Sequence, residues 1–236
     1  MNKVNAEKKN KVIEAVRAAE FINNEMTVMI GGFGGVGNPP SLIREMMESG
    51  VGELTLICND AGFPHIGVGQ LVTAKRIKKL IASHIGSNPN AGKQMTDGEL
   101  EVIFSPQGTL AERIRAGGAG LGGILTDIGA ENPIIEAGKK KIEIDGKEYL
   151  VEPALTAEVS LVFAKKADTL GNLVYDTSAR NTNPLVAMAG DITIAEAEEI
   201  VEAGELDPEE IVTPGAFVDY IVQSEGVNWT WAWEKK

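Results

Sequence analysis

The chain has 236 residues, 43% hydrophobic and 24% charged, an ordinary balance for a globular protein with a core of its own. Its formal net charge of −12, from 22 basic and 34 acidic side chains, argues against nucleic-acid and anionic-membrane surfaces, which need Lys and Arg to neutralise phosphate. One cysteine, Cys58, and two histidines, His65 and His84, exclude a disulfide framework and a multi-cysteine or multi-histidine metal site within one chain.

The opening residues, Met1 to Lys9, lack the apolar stretch of a signal peptide, and no apolar run approaches the ~20 residues of a membrane span, so a cytoplasmic protein is expected. Residues 10–22 place Val12, Ile13, Val16, Ala19 and Ile22 at helical spacing and predict an amphipathic helix. Residues 27–30 form a short apolar strand that runs into Gly31-Gly32-Phe33-Gly34-Gly35-Val36-Gly37. A helix follows over 41–49, stopped by Gly50. Further strands are predicted at 54–58, 80–83 and 100–104. Residues 141–144 and 148–151 flank Asp145-Gly146-Lys147 and read as a hairpin, and 159–163 and 192–194 resume the buried-strand pattern. There is no long linker and no obvious internal repeat. The alternation predicts an α/β fold, an open and mostly parallel sheet with flanking helices and an antiparallel hairpin insertion. One domain over 1–236 is expected, with a Trp-rich tail at 224–236.

Several segments have the residue types that chemistry needs. Gly32, Gly34 and Gly37 fit G-x-G-x-x-G after a strand, and Asp60 near the end of the next strand is where a ribose-binding acid would lie. Asn38-Pro39-Pro40 speaks against that dinucleotide reading. A residue before proline leaves the α region, so the helix starts near Pro40 and the loop is longer and stiffer than a pyrophosphate turn. The same bare backbone could hold an oxyanion or a thioester carbonyl, or the glycines could simply turn the chain. Thr109 and Glu112 form a T-x-x-E capping box, which predicts a helix from Thr109 to Gly117-Gly118. Gln107 then sits on the turn before a helix N-terminus, where it either binds a carboxylate or carbonyl or hydrogen-bonds its own turn.

Cys58-Asn59-Asp60 falls at the carboxyl end of a strand, where α/β proteins bind ligands. Cys58 reads as a small buried hydrophobe, because nothing nearby would depress its pKa, and Asn59 and Asp60 could also be turn formers. Ser83 and His84, as strand neighbours, should face opposite ways, which leaves His84 a structural polar residue. The polar turn 179–184 could face a ligand or cap a helix. Trp229, Trp231 and Trp233, at period two, suggest a strand edge or a subunit contact.

Taken in order, Gly31-Gly32-Phe33 with Gly37 and Pro39, residues 54–60, Ile81-Ala82-Ser83-His84-Ile85-Gly86, residues 105–120 and Ser178-Ala179-Arg180-Asn181 closely resemble the α (A) subunit of family I coenzyme A transferases. The type is that acting on 3-oxoacids or on acetate, butyrate and acetoacetate. The likeness spans about the whole chain, and residues 106–118 are its most specific part. It implies an open α/β fold and ping-pong transfer of CoA from a short-chain acyl-CoA (acetyl, butyryl, acetoacetyl or succinyl) to an acid such as acetate or acetoacetate. The intermediate it implies is a glutamyl-CoA thioester, on a glutamate that the family carries in a Ser-Glu-Asn-Gly-type segment of the β subunit. No such segment occurs here. Gly129-Ala130-Glu131-Asn132-Pro133 is the nearest imitation, and Glu131 is not assigned as nucleophile.

By motif position, Gly31, Gly32, Phe33, Gly34, Gly35, Val36 and Gly37 are the CoA-binding and oxyanion segment, and Asn59 and Gln107 position the carbonyl. The resemblance also implies a β-subunit partner in an α2β2 or larger assembly. CoA and acyl-CoA would be substrates, with no permanently bound cofactor and no metal. The competing readings are an NAD-binding Rossmann oxidoreductase and a non-catalytic acyl-CoA-binding module. The tail 225–233 has no counterpart in the family.

Overall fold

The computed structural model describes residues 10–231 and Glu234. Its first half alternates α1 (Ala15–Ala19), β1 (Thr27–Ile30), α2 (Pro40–Ser49), β2 (Leu54–Ile57), α3 (Gly69–Thr73), β3 (Ile77–Ala82), α4 (Pro89–Thr96), β4 (Glu101–Phe104) and α5 (Gln107–Gly118). An insertion follows, with β5 (Gly123–Thr126), α6 (Pro133–Glu136), β6 (Lys141–Ile144) and β7 (Lys147–Pro153). The chain then returns through β8 (Ala157–Asp168), β9 (Leu173–Val174), α7 (Asn183–Met188), β10 (Gly190–Val201) and β11 (Tyr220–Gln223).

The main sheet has the order β11-β10-β8-β1-β2-β3-β4, every neighbouring pair parallel, with β9 antiparallel on the end of β8. Period-two alternation splits the core between its two faces. Val28 and Ile30 pack with Leu42, Ile43, Met46 and Leu71, while Met29 between them packs with Ile57, Ile81, Ile114 and Val186. Each such fully buried aliphatic side chain contributes about 1.5–3 kcal/mol of transfer free energy. This is the open, mostly parallel α/β architecture that the sequence predicts.

The insertion is larger than the expected hairpin. Its three strands run antiparallel in the order β5-β7-β6. Ile144 faces Lys147 across the turn, leaving Asp145 and Gly146 at φ 52° and 77°, the left-handed pair that a two-residue hairpin requires. The added strand, β5, was hidden by its short length and by Gly122-Gly123 at its start.

Two local expectations change. The predicted helix over 10–22 is helical only at Ala15–Ala19. The Ile13 N–H donates to Ile221 O (2.8 Å) and the Ile221 N–H to Lys11 O (2.9 Å), so residues 11–13 extend the sheet beyond β11. Pairing with an open strand edge outweighs the helical pattern there. The second change concerns α5, which starts at Gln107 behind an extended Pro106. Thr109 is therefore inside the helix, its Oγ1 buried with no hydrogen-bond partner among the described residues, and the capping box does not form.

Parallel strands place their carboxyl ends on one edge of the sheet. The loops after β1, β2, β3 and β4 all gather there, side by side.

Candidate active site

The loop after β1 is a tight hairpin of its own. Phe33 and Val36 exchange both backbone hydrogen bonds, at 2.9 and 3.0 Å, with Gly34 and Gly35 at the tip. Gly35 has φ 95° and is buried, and a Cβ there would lie 2.4 Å from Ile66 Cγ2, so only glycine fits.

Polar side chains from three directions fix this loop. The Gly34 N–H donates to Asp60 Oδ2 (2.8 Å), and Asp60 also accepts from the Gly62 N–H and from Asn59 Nδ2. Asn38 Nδ2 donates to Gly31 O (2.6 Å), while its Oδ1 accepts from the Val68 N–H (3.0 Å). Asn181 Nδ2 donates to Val36 O and Asn183 Nδ2 to Gly37 O, each at 3.0 Å. The polar turn 179–184 thus holds the glycine loop instead of capping a helix: α7 has no side-chain cap.

The loop after β2 repeats the first. Gly62-Phe63-x-x-Ile66-Gly67 matches Gly32-Phe33-x-x-Val36-Gly37, and Phe63 pairs with Ile66 as Phe33 pairs with Val36. Asn38 joins the two loops. This short repeat is visible in the sequence and is an internal repeat that the pattern reading overlooked.

At the strand ends lies a cavity of about 580 Å³. Phe33 and Gly34 line it from the first loop, Asn59, Asp60 and Phe63 from the second, Ser83, His84 and Ser87 after β3, and Gln107 at the start of α5. Of the predicted site residues, Phe33, Gly34, Asn59 and Gln107 therefore meet. Gly31, Gly32, Gly35 and Gly37 are buried in the framework of the loop, and Val36 closes its hairpin.

Gln107 is exposed, and its side-chain amide makes no hydrogen bond to the described residues, so it does not close its own turn. Asn59 is buried and gives one of its two amide donors to Asp60 Oδ2 (2.9 Å), leaving the second. Ser83 and His84 depart from the expectation of opposite faces. The strand ends at Ala82, and both residues border the cavity. The Ser83 hydroxyl donates to Asn59 O (2.6 Å), so it is not paired with His84, whose exposed ring has no hydrogen-bond partner among the described residues. Phe63, Ser87 and the His84 ring were missed as site residues, since nothing in sequence order ties these loops together.

Among the described residues no Lys or Arg lines the cavity, and the one carboxylate, Asp60, is taken up by three N–H groups. Cys58 lies behind it, its pKa pushed well up by burial and by the Asp60 carboxylate, which keeps it a neutral thiol and no nucleophile. A second hollow, about 670 Å³, lies on the insertion and includes exposed Glu131 beside Asp127 and Lys147. It has no aromatic wall and lies outside the strand-end loops.

Comparison with known proteins identifies the family. The profile of the family described as Coenzyme A transferase matches residues 12–224. The chain belongs to the coenzyme A transferase family, as an α-type subunit. It is 60% identical over 224 residues to a probable coenzyme A transferase subunit alpha of Bacillus subtilis, covering 95% of this chain and 98% of the relative. Its identity to the acetate CoA-transferase subunit alpha of Escherichia coli K12 is 50% over 217 residues, covering 92% of this chain and 98% of the relative. Among solved structures, the fold matches the acyl-CoA transferase YdiF of Escherichia coli O157:H7 with a TM-score of 0.83 at 22% identity, covering 95% of this chain and 48% of that one. The present chain thus spans about half of the longer protein. Among the described residues, no helix is long and apolar enough to cross a membrane.

Proposed function

We propose that this chain supplies the carbonyl-holding half of a CoA-transferase site and that a β-type partner chain supplies the nucleophilic glutamate. The observation that carries this reading is the make-up of the strand-end cavity among the described residues: two amide side chains, bare glycine backbone and no free carboxylate. In the cycle, the partner's glutamate attacks the thioester carbonyl of acyl-CoA, and CoA leaves as the thiolate, giving an acyl-glutamyl anhydride. The thiolate then attacks the glutamyl carbonyl and releases the carboxylate, leaving a glutamyl-CoA thioester. An acceptor carboxylate runs both steps in reverse. Each attack puts negative charge on a carbonyl oxygen, and the Gln107 amide and the second Asn59 donor are placed to receive it.

The substrates are short-chain acyl-CoA (acetyl, butyryl, acetoacetyl or succinyl) and an acid such as acetate or acetoacetate. Phe33 and Phe63 give the cavity an apolar wall suited to a short acyl chain. Since no Lys or Arg lines it among the described residues, the phosphates of CoA lie outside this cavity and only the thioester end enters, with the glycine loop beside it. The NAD-binding alternative loses its support, because the Asp60 carboxylate is turned inward onto Gly34 and Gly62 and is not open to a ribose. A binding module without chemistry is separated by turnover.

The test is co-expression with a β-type chain and measurement of CoA exchange between acetoacetyl-CoA and acetate. The expected result is exchange with the parallel double-reciprocal lines of a ping-pong mechanism, and none from the α chain alone. Intersecting lines, or full activity without the partner, would contradict the half-site reading.

A further inference from the structure

Beyond β11 the chain passes the last strand and, after residue 224, the end of the family match. It nevertheless remains tied to the site. The Ser224 hydroxyl donates to Glu196 Oε1 (2.6 Å), the Glu225 N–H donates to Ser41 Oγ (3.0 Å), and the Glu225 carboxylate pairs with Arg44 at 3.0 Å. These contacts lay residues 224 and 225 across the first turns of α2, the helix that the glycine loop leads into. Farther on, Trp229 and Trp231 meet edge to face with centroids 5.8 Å apart. The Trp231 ring lies against the tip of the glycine loop. A Cβ on Gly35 would stand 3.1 Å from Trp231 Cζ3 and 3.4 Å from its Cη2, with Ile66 Cγ2 at 2.4 Å. Gly35 thus has Ile66 of the second loop and Trp231 of the tail as close neighbours. Trp233, the third member of the stripe, lies outside the described residues.

We propose that residues 224–231 form a strap that holds the glycine loop in its substrate-facing conformation, with Trp231 as a positioning residue acting through Gly35 on Phe33 and Gly34. The physical need is clear from the composition of the loop. Glycines at its tip lose more conformational freedom on ordering than any other residue. The side chains of Asp60, Asn38, Asn181 and Asn183 hold Gly34 and the base of the loop and none of them reaches Gly35, whose carbonyl accepts from the Asn38 backbone N–H at 3.2 Å. A rigid indole laid on that glycine restricts it at little side-chain entropy cost. Phe33 and Gly34 line the cavity in ground state and transition state alike, so the strap acts on binding more than on the chemical step.

The experiment uses the complex with a β-type chain and compares wild type, Trp231→Ala, Trp231→Phe and a chain ended after Gly226. The proposal rests on acyl-CoA entering the strand-end cavity, so one measurement is independent of turnover. Truncation and Trp231→Ala should raise the KM for acyl-CoA about tenfold, a differential of ~1.4 kcal/mol, with kcat within about twofold. Trp231→Phe, which keeps an aromatic ring in the tail but lacks the Cζ3–Cη2 edge that meets Gly35, should restore KM only in part. In the same variants, amide hydrogen exchange over residues 33–37 should speed up while that of β1 and β2 stays unchanged. Unchanged exchange over 33–37 overturns the strap whatever the kinetics. So does a lowered melting temperature with wild-type KM, the mark of a purely structural tail. Faster exchange in the variants, with no transferase activity in the wild-type complex, would overturn the functional reading and leave the strap standing.

Discussion

Gln107 gives the sharpest single-residue expectation, because its amide serves no structural bond among the described residues and sits first in α5 at the cavity. If it receives charge on the carbonyl oxygen, Gln107→Ala lowers kcat by roughly 10²-fold, the scale of one lost oxyanion donor. Steady-state kinetics on the folded complex decide the matter. A change confined to KM would make Gln107 a ground-state binding group. Gly35 tests the loop from the other side. Gly35→Val places a branched side chain at φ 95° against Ile66 and Trp231, a strain of about 1–3 kcal/mol that the loop can relieve only by moving. Turnover should be lost in a complex that still folds, and near-normal kinetics would remove the loop from the mechanism.

At the scale of elements, α2 is capped from a distance. Its own N-cap, Pro39, makes no side-chain capping hydrogen bond, and the Glu196 carboxylate of β10 takes that role. It accepts from the Ser41 N–H at 2.9 Å and the Leu42 N–H at 3.0 Å, a negative charge at the positive end of the helix. Glu196→Ala should destabilise the chain by about 1–3 kcal/mol in urea unfolding, because it leaves two buried N–H groups without acceptors. Burial raises the Glu196 pKa above its ordinary 4.5, outweighing the hydrogen bonds from Ser224, Leu42 and Ser41 that lower it. The native state therefore holds this proton more tightly than the unfolded chain. Its contribution is fully present below pH 4.5 and is lost as pH rises through the raised value. The stability difference between wild type and Glu196→Gln should decline over that window, and a flat difference would contradict the assignment.

What was legible in the sequence follows the same division. The strands β1 to β4 are short apolar runs bounded by glycine or proline turns, and they could be read within a residue or two at most boundaries. Only residues 192–194 of β10 could be read, because Glu196, Glu198 and Glu199 look like a solvated stretch. In the sheet, Glu196 caps α2, while Glu198 and Glu199 pair across to Lys165 and Lys166 of β8. That Phe33, Gly34, Asn59 and Gln107 lie at one edge of the sheet was legible from their place after apolar strands and in the family's motifs, although the capping box that placed Gln107 before its helix does not form. Phe63 and His84 were not, since their role exists only once parallel strands bring four separate loops to one edge.

For the whole molecule, the central claim is that this chain is half of an active site. The insertion braces that half: Glu152 of β7 is fully buried and pairs with Lys139 at 2.5 Å and with Arg113 of α5 at 3.6 Å, six residues on from Gln107 in the same helix. Among the described residues the cavity has no carboxylate besides the hydrogen-bonded Asp60, and Glu131 lies on the insertion, outside the strand-end loops. The most direct measurement is to incubate the complex of this chain and a β-type partner with acyl-CoA, reduce with borohydride and map the modified peptide. The account predicts one reduced glutamate, on the partner, and none in this chain. A label on Glu131, or on any glutamate of this chain, would contradict it.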